Sequence, residues 1–119
     1  MAFNVSSLFR ISQQPAIEGG FDSLTLSGDK TLVDTDSCFL AIDPNGAGRN
    51  VKLPRVSKTD AGRFVVVFNK ADADEGLVFK DADGSAITNG TFTQDIGAIF
   101  YVTAAGAWAL FGKFTVVAD

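Results

Sequence analysis

Carboxylates are the most plentiful reactive groups in this chain, and their spacing raises the first chemical question. Asp72-Ala73-Asp74-Glu75-Gly76 and Asp81-Ala82-Asp83-Gly84 set acidic side chains two residues apart, as calcium loops do, because carboxylates so spaced can converge on one hard cation. Neither segment completes such a loop: twelve-residue numbering from Asp81 puts Phe92 where a bidentate glutamate belongs. Asp34, Thr35 and Asp36 offer further oxygens at a spacing that matches no named loop. Turn chemistry, in which short polar side chains bond the neighbouring backbone, accounts for all three segments. Acid-base catalysis is no better supported, since pairs such as Asp34 with Asp95 or Asp43 with Asp60 would have to flank a glycosidic bond and nothing selects one pair over another. Without histidine there is no histidine-based triad, and with a single cysteine there is no zinc set. Cys38 has no basic partner to make it a nucleophile. Beside Phe39 and Leu40 it reads as an inert buried thiol, and no intrachain disulfide is possible. No catalytic residue, metal ligand or cofactor is expected; the chain reads as a non-enzyme that binds or assembles.

Charge narrows the partners. Fourteen acidic and ten basic residues leave a net charge of −4 over 119 residues, with a pI near 4.6. Nucleic acid is not an expected partner, because recognition of its backbone needs clustered Lys and Arg. Arg49, Lys52, Arg55, Lys58 and Arg63 alone come close together in sequence, as solvated strand edges, as a salt-bridging rim, or as a rim that meets an acidic protein surface. Of these, Arg49, Lys52 and Arg55 are candidate contact residues. Hydrophobic residues make up 46% of the chain, eleven of them Phe, against 20% charged, a composition that suits burial of area against copies or a partner. The start MAFNVSSLFRISQQ has neither a basic n-region nor a long apolar h-region, and no run approaches the roughly 18 apolar residues of a membrane span. Synthesis in a cytoplasm and no membrane partner are the corresponding expectations.

These groups must be positioned by strands. Apolar runs at Phe39 to Ile42, Val51 to Leu53, Phe64 to Phe68 and Leu77 to Phe79 alternate with Asp, Asn, Gly and Pro clusters that suit tight turns, which predicts a meander or a pair of hairpins. Within that stretch Gly62 to Asn69 is bulky on both sides and must be covered on both faces, in a sandwich interior or at a subunit contact. Further reversals are expected at Ser27-Gly28-Asp29, Asn89-Gly90 and Ala104-Ala105-Gly106. Trp108 and Tyr101 sit in apolar runs that read as buried, and a last strand is expected after Gly112. In all, nine or ten short strands predict an all-β domain over residues 21–119, an antiparallel β-sandwich or jelly roll. Residues 1–20 read as an N-terminal arm, broken from the domain at Gln13-Gln14-Pro15 and Gly19-Gly20. Its apolar residues Phe3, Val5, Leu8, Phe9 and Ile11 are candidate contacts, docking either on a neighbouring subunit or back on their own domain.

One resemblance sharpens this reading. Thr31-Leu32-Val33, then Phe39-Leu40-Ala41-Ile42-Asp43-Pro44-Asn45-Gly46-Ala47, Arg49 to Pro54 and Ala61 to Asn69, with a closing strand bearing Trp108, resemble a β-strand module of tailed-bacteriophage virion proteins over about Thr31 to Phe111. That module occurs in small capsid decoration (cement) proteins and in segments of tail fibres or baseplates. The resemblance implies a non-enzymatic, commonly trimeric assembly protein with no catalytic residues to carry over. It makes the major capsid protein the expected partner and the capsid exterior of the virion, assembled in the host cytoplasm, the expected location. A receptor- or carbohydrate-binding module of a tail fibre or baseplate is the alternative.

Overall fold

Turn residues set where this chain bends, yet most of the bends carry it from one sheet to another. The computed structural model describes residues 20–46, 48–87 and 90–117. Among them are eight strands: β1 (Phe21–Thr25), β2 (Lys30–Thr31), β3 (Phe39–Asp43), β4 (Arg49–Lys52), β5 (Phe64–Asn69), β6 (Leu77–Lys80), β7 (Ile96–Val102) and β8 (Trp108–Thr115), with one 3-10 turn at Lys58–Asp60. The protein is all-β. One sheet has the order β1-β3-β5-β7-β8 and the other β2-β4-β6.

The expected antiparallel sandwich or jelly roll is corrected here. Strands β1, β3 and β5 pair in parallel, as do β2, β4 and β6; only β5 with β7 and β7 with β8 are antiparallel. Parallel neighbours need a long crossover, whereas a hairpin needs a short loop. The crossover here is a visit to the opposite sheet, so the chain winds in three solenoid-like coils and then closes with a hairpin. At Asn45 and Gly46 the backbone takes the positive φ expected of a turn (53° and 133°). That turn is a corner passing the chain from β3 to β4, not the loop of a hairpin. Ser27-Gly28-Asp29 likewise leads from β1 into the other sheet.

Winding puts one face of each sheet inward. Leu40 and Ile42 of β3, Val65 and Val67 of β5, and Ala98, Phe100 and Val102 of β7 meet Val51 and Leu53 from the β4 side and Leu77 and Phe79 of β6 in one core. Each set alternates with outward residues, as the strand repeat of two requires. Within one copy β5 is covered on one face, so of the two expected covers the sandwich interior does not supply the second: Val65 and Val67 are buried, Val66 and Phe68 are half-buried, and Phe64 is exposed.

The reversal at Ala104-Ala105-Gly106 is present. Gly106 N–H donates to the Thr103 carbonyl, and Thr103 N–H donates to Ala107. Asn89 lies outside the described residues, but Asp81-Ala82-Asp83-Gly84 forms an acidic turn whose return segment bridges Lys80 to Ala86 and Leu77 to Phe92 in antiparallel fashion. No separate strand starts after Gly112. Instead β8 runs through, with Phe111 as the extra residue of a bulge between the Ile99–Gly112 and Phe100–Leu110 pairs. Gly106 has φ +85°, and a Cβ there would lie 2.6 Å from the Lys58 nitrogen and 2.7 Å from the Ser57 carbonyl carbon. Because both neighbours are main chain, Gly106→Ala is expected to cost about 2–3 kcal/mol, read as a lower urea midpoint at unchanged slope.

Candidate functional site

The two outward faces of the molecule differ in kind. On the three-stranded sheet, Thr31, Lys52 and Lys80 form one row and Asn50 pairs with Val78 in the next. Asp29 accepts from the Asn50 N–H at 2.8 Å and from its amide at 3.3 Å, and these bonds hold its carboxyl below the ordinary range. Arg55 and Asp83 pair at 2.7 Å beside this face, and the hydrogen bond from Arg55 lowers the Asp83 carboxyl in the same way. This is an ordinary solvated surface.

The outer face of the five-stranded sheet is apolar. Register aligns Phe21, Phe39, Val66 and Ile99 across β1, β3, β5 and β7, and then Ser23, Ala41, Phe68, Gly97 and Phe114; Phe64 stands opposite Tyr101. Phe21 is 60% exposed, Phe39 40%, Phe64 46%, Tyr101 36% and Phe111 73%. Phe21 and Phe39 lie 5.5 Å apart by ring centroid, Phe39 and Phe68 6.2 Å, and Tyr101 and Phe111 6.1 Å, edge to face. The bulge carries Phe111 to this side. Lys113, on the inward register beside Ala98, instead stands over the Phe92 ring at 4.9 Å. Asp43 and Lys70, which bonds Ser23, mark the margin of the face.

Of the contact residues expected from the sequence, Phe3, Val5, Leu8, Phe9 and Ile11 lie outside the described residues. Arg49 spends its guanidinium on the Pro44 and Asn45 carbonyls, both at 3.0 Å, and so holds the β3–β4 corner. Lys52 points outward from β4, and Arg55 is tied to Asp83. Arg49 thus serves the corner, while Lys52 and Arg55 both stand beside the acidic turn, Arg55 paired with Asp83 and the Lys52 ammonium next to Gly84.

Sequence reasoning missed Phe21 and Phe111 as surface residues, and it read Tyr101 as buried. The signal it did use was Phe64-Val65-Val66-Val67-Phe68, where neither parity is polar. Trp108 is buried as expected, its indole N–H donating to the Pro54 carbonyl at 2.8 Å.

Among the described residues the carboxylates give one cluster. Asp43, Asp72 and Glu75 bring one oxygen each within 4.8 Å of one another, where a hard cation could be held. Asp43 also accepts from the Asn45 N–H, and the Glu75 Oε1 is buried without a hydrogen-bond partner. An unpaired acceptor beside two other carboxylates is destabilising, so Glu75→Gln, which removes a charge and adds a donor, is expected to stabilise the protein by about 1 kcal/mol in the presence of EDTA. A urea midpoint that does not rise defeats that account. Cys38 is half-buried, and burial pushes its thiol pKa up, which keeps it protonated and unreactive.

Comparison with family models, with curated proteins and with solved structures gave no match. The candidate site therefore rests on geometry: one charge-poor aromatic sheet face, opposite a polar one.

Proposed function

We propose that this chain is a non-enzymatic assembly subunit of a phage virion, a capsid decoration protein that binds the outside of the head across capsid-subunit junctions and stabilises the shell. The observation that carries the reading is the contrast between the two outer faces. A freely dissolved domain has no use for five exposed aromatic rings on one sheet, and contiguous exposed apolar surface marks a contact. One face buried against copies leaves the polar side and the loops to meet the major capsid protein. Several weak attachments made by one oligomer then hold far better than any single one.

Co-sedimentation tests it. The purified chain mixed with heads lacking it is expected to pellet with them at saturable stoichiometry and to raise the temperature at which the heads break. A chain left in the supernatant at every ratio overturns the head assignment.

The second reading, a receptor- or carbohydrate-binding module of a tail fibre or baseplate, gains from one observation: Tyr101 is exposed and set edge to face with Phe111, and exposed amphipathic aromatics are what sugar sites use. Glycan binding without head binding favours it.

A further inference from the structure

The apolar sheet face is large enough, and plain enough in charge, to identify its occupant. At about 200 Å² per aromatic side chain, the exposed fractions of Phe21, Phe39, Phe64, Tyr101 and Phe111 leave on the order of 500 Å² of ring surface in water. Half-buried Val66, Phe68, Ile99 and Phe114 add to it. That is most of the roughly 800 Å² each partner gives to a standard interface.

We infer that this face packs against the same face of further copies of the chain. Charge decides between a copy and a foreign partner. The chain carries a net charge of −4, so two copies repel wherever carboxylates meet, and on this face the register places none between Phe21 and Phe114. Asp43 stands at the last position of β3, opposite Thr25, and Lys70, whose N–H donates to the neighbouring Ile42 carbonyl, lies close by. A surface that discriminates a foreign partner uses charge complementarity for the purpose; apart from the Lys70–Ser23 bond at its β1 margin and the Tyr101 hydroxyl, this one offers rings and aliphatic side chains, which are complementary to themselves. The polar opposite sheet, with Lys52, Lys80 and the Arg55–Asp83 pair, stays in solvent. The inference deepens the assembly reading, but it does not depend on the head.

The test is the mass of the full chain in solution, without heads, across a wide concentration range. The expected mass is a multiple of 12.5 kDa, and the double variant Phe64→Lys with Phe111→Lys is expected to run as a monomer with an unchanged strand spectrum. Losing two such anchors weakens self-association more than about a hundred-fold. Phe21→Lys, at the β1 edge of the same face, gives an independent reading should the double variant not fold. A wild-type chain that stays monomeric throughout overturns the inference, as does a variant that keeps the oligomeric mass. If the arm covered the face instead, wild type would be monomeric and Phe3→Ser with Phe9→Ser would make it associate, which also overturns it. An oligomer that ignores heads defeats only the decoration reading, and a monomer that binds them defeats only this one.

Discussion

Replacing Asn69 by aspartate is expected to cost about 3–5 kcal/mol, a large share of the roughly 5–15 kcal/mol that holds a domain of this size folded. Asn69 is the one fully buried polar side chain among the described residues. Its amide donates to the Glu75 carbonyl at 2.8 Å and the Phe92 carbonyl at 2.9 Å, and its oxygen accepts from the Ala71 N–H at 2.8 Å. Those three bonds tie the end of β5 to the 70–76 corner and to the segment that returns along β6. A carboxylate keeps the single acceptor role and turns its second oxygen towards two carbonyls in a fully buried site. Burial and the facing carbonyls raise the pKa of the new carboxyl above its unfolded value. The penalty is therefore small below the unfolded pKa of about 3.9 and grows as pH rises through the folded value. Asn69→Ala, expected to cost about 2–3 kcal/mol by orphaning the same partners without adding charge, is the control. Urea midpoints of the two variants should converge as pH falls. An aspartate variant as stable as wild type at neutral pH would mean that the amide does not hold this corner.

The sequence carried the inward half of this fold much better than its winding. Leu40, Ile42, Val65, Val67, Leu77 and Phe79 alternate with their neighbours, so strand positions and the core can be read from period two alone. Pairing direction is not in that signal. A Pro-Asn-Gly turn reverses a chain equally well into a hairpin or around a corner, and only the packing of both strands on a shared interior chooses the corner. The coils hide a second way, because eighteen residues separate the partners Phe21 and Phe39 while twenty-seven separate Phe39 and Val66. With corners of unequal length there is no constant period to detect. Parallel strands also lack the turn that would reveal their register, so the row from Phe21 to Ile99 could not be assembled in advance. That is why the aromatic face was legible only as an excess of phenylalanine and as one strand, β5, apolar on both sides. The basic residues were legible as a salt-bridging rim, since Arg55 pairs with Asp83 and Lys52 stands beside the same turn; that Arg49 instead braces the β3–β4 corner was not, because the corner itself was not.

Truncating Phe79 to alanine is expected to cost about 3–5 kcal/mol, on the scale of other buried aromatic deletions. Phe79 is fully buried on β6 of the three-stranded sheet, with its ring centroid 5.2 Å from Phe92 and 5.2 Å from Phe100. Phe100 belongs to β7 of the other sheet, so one side chain spans the interior and couples the two walls of the coil. Each wall alone exposes an apolar face and has no independent stability, so the loss should appear as one cooperative transition. Far-ultraviolet circular dichroism and Trp108 fluorescence are expected to shift to the same lower urea midpoint. Phe79→Leu, which keeps most of the volume, should lose about 1–2 kcal/mol by the same measure. Protein concentration must be held low and equal, since any association through the outer face adds concentration-dependent stability. Phe111→Ala supplies the contrast, because that ring is 73% exposed and touches Tyr101 rather than the core. It should leave the dilute urea midpoint within about 0.5 kcal/mol of wild type while weakening self-association. Two phenylalanines of one chain then separate by experiment into one that closes the coil and one that joins copies. Equal losses of dilute stability at both positions would mean that the outer rings belong to the monomer's own core.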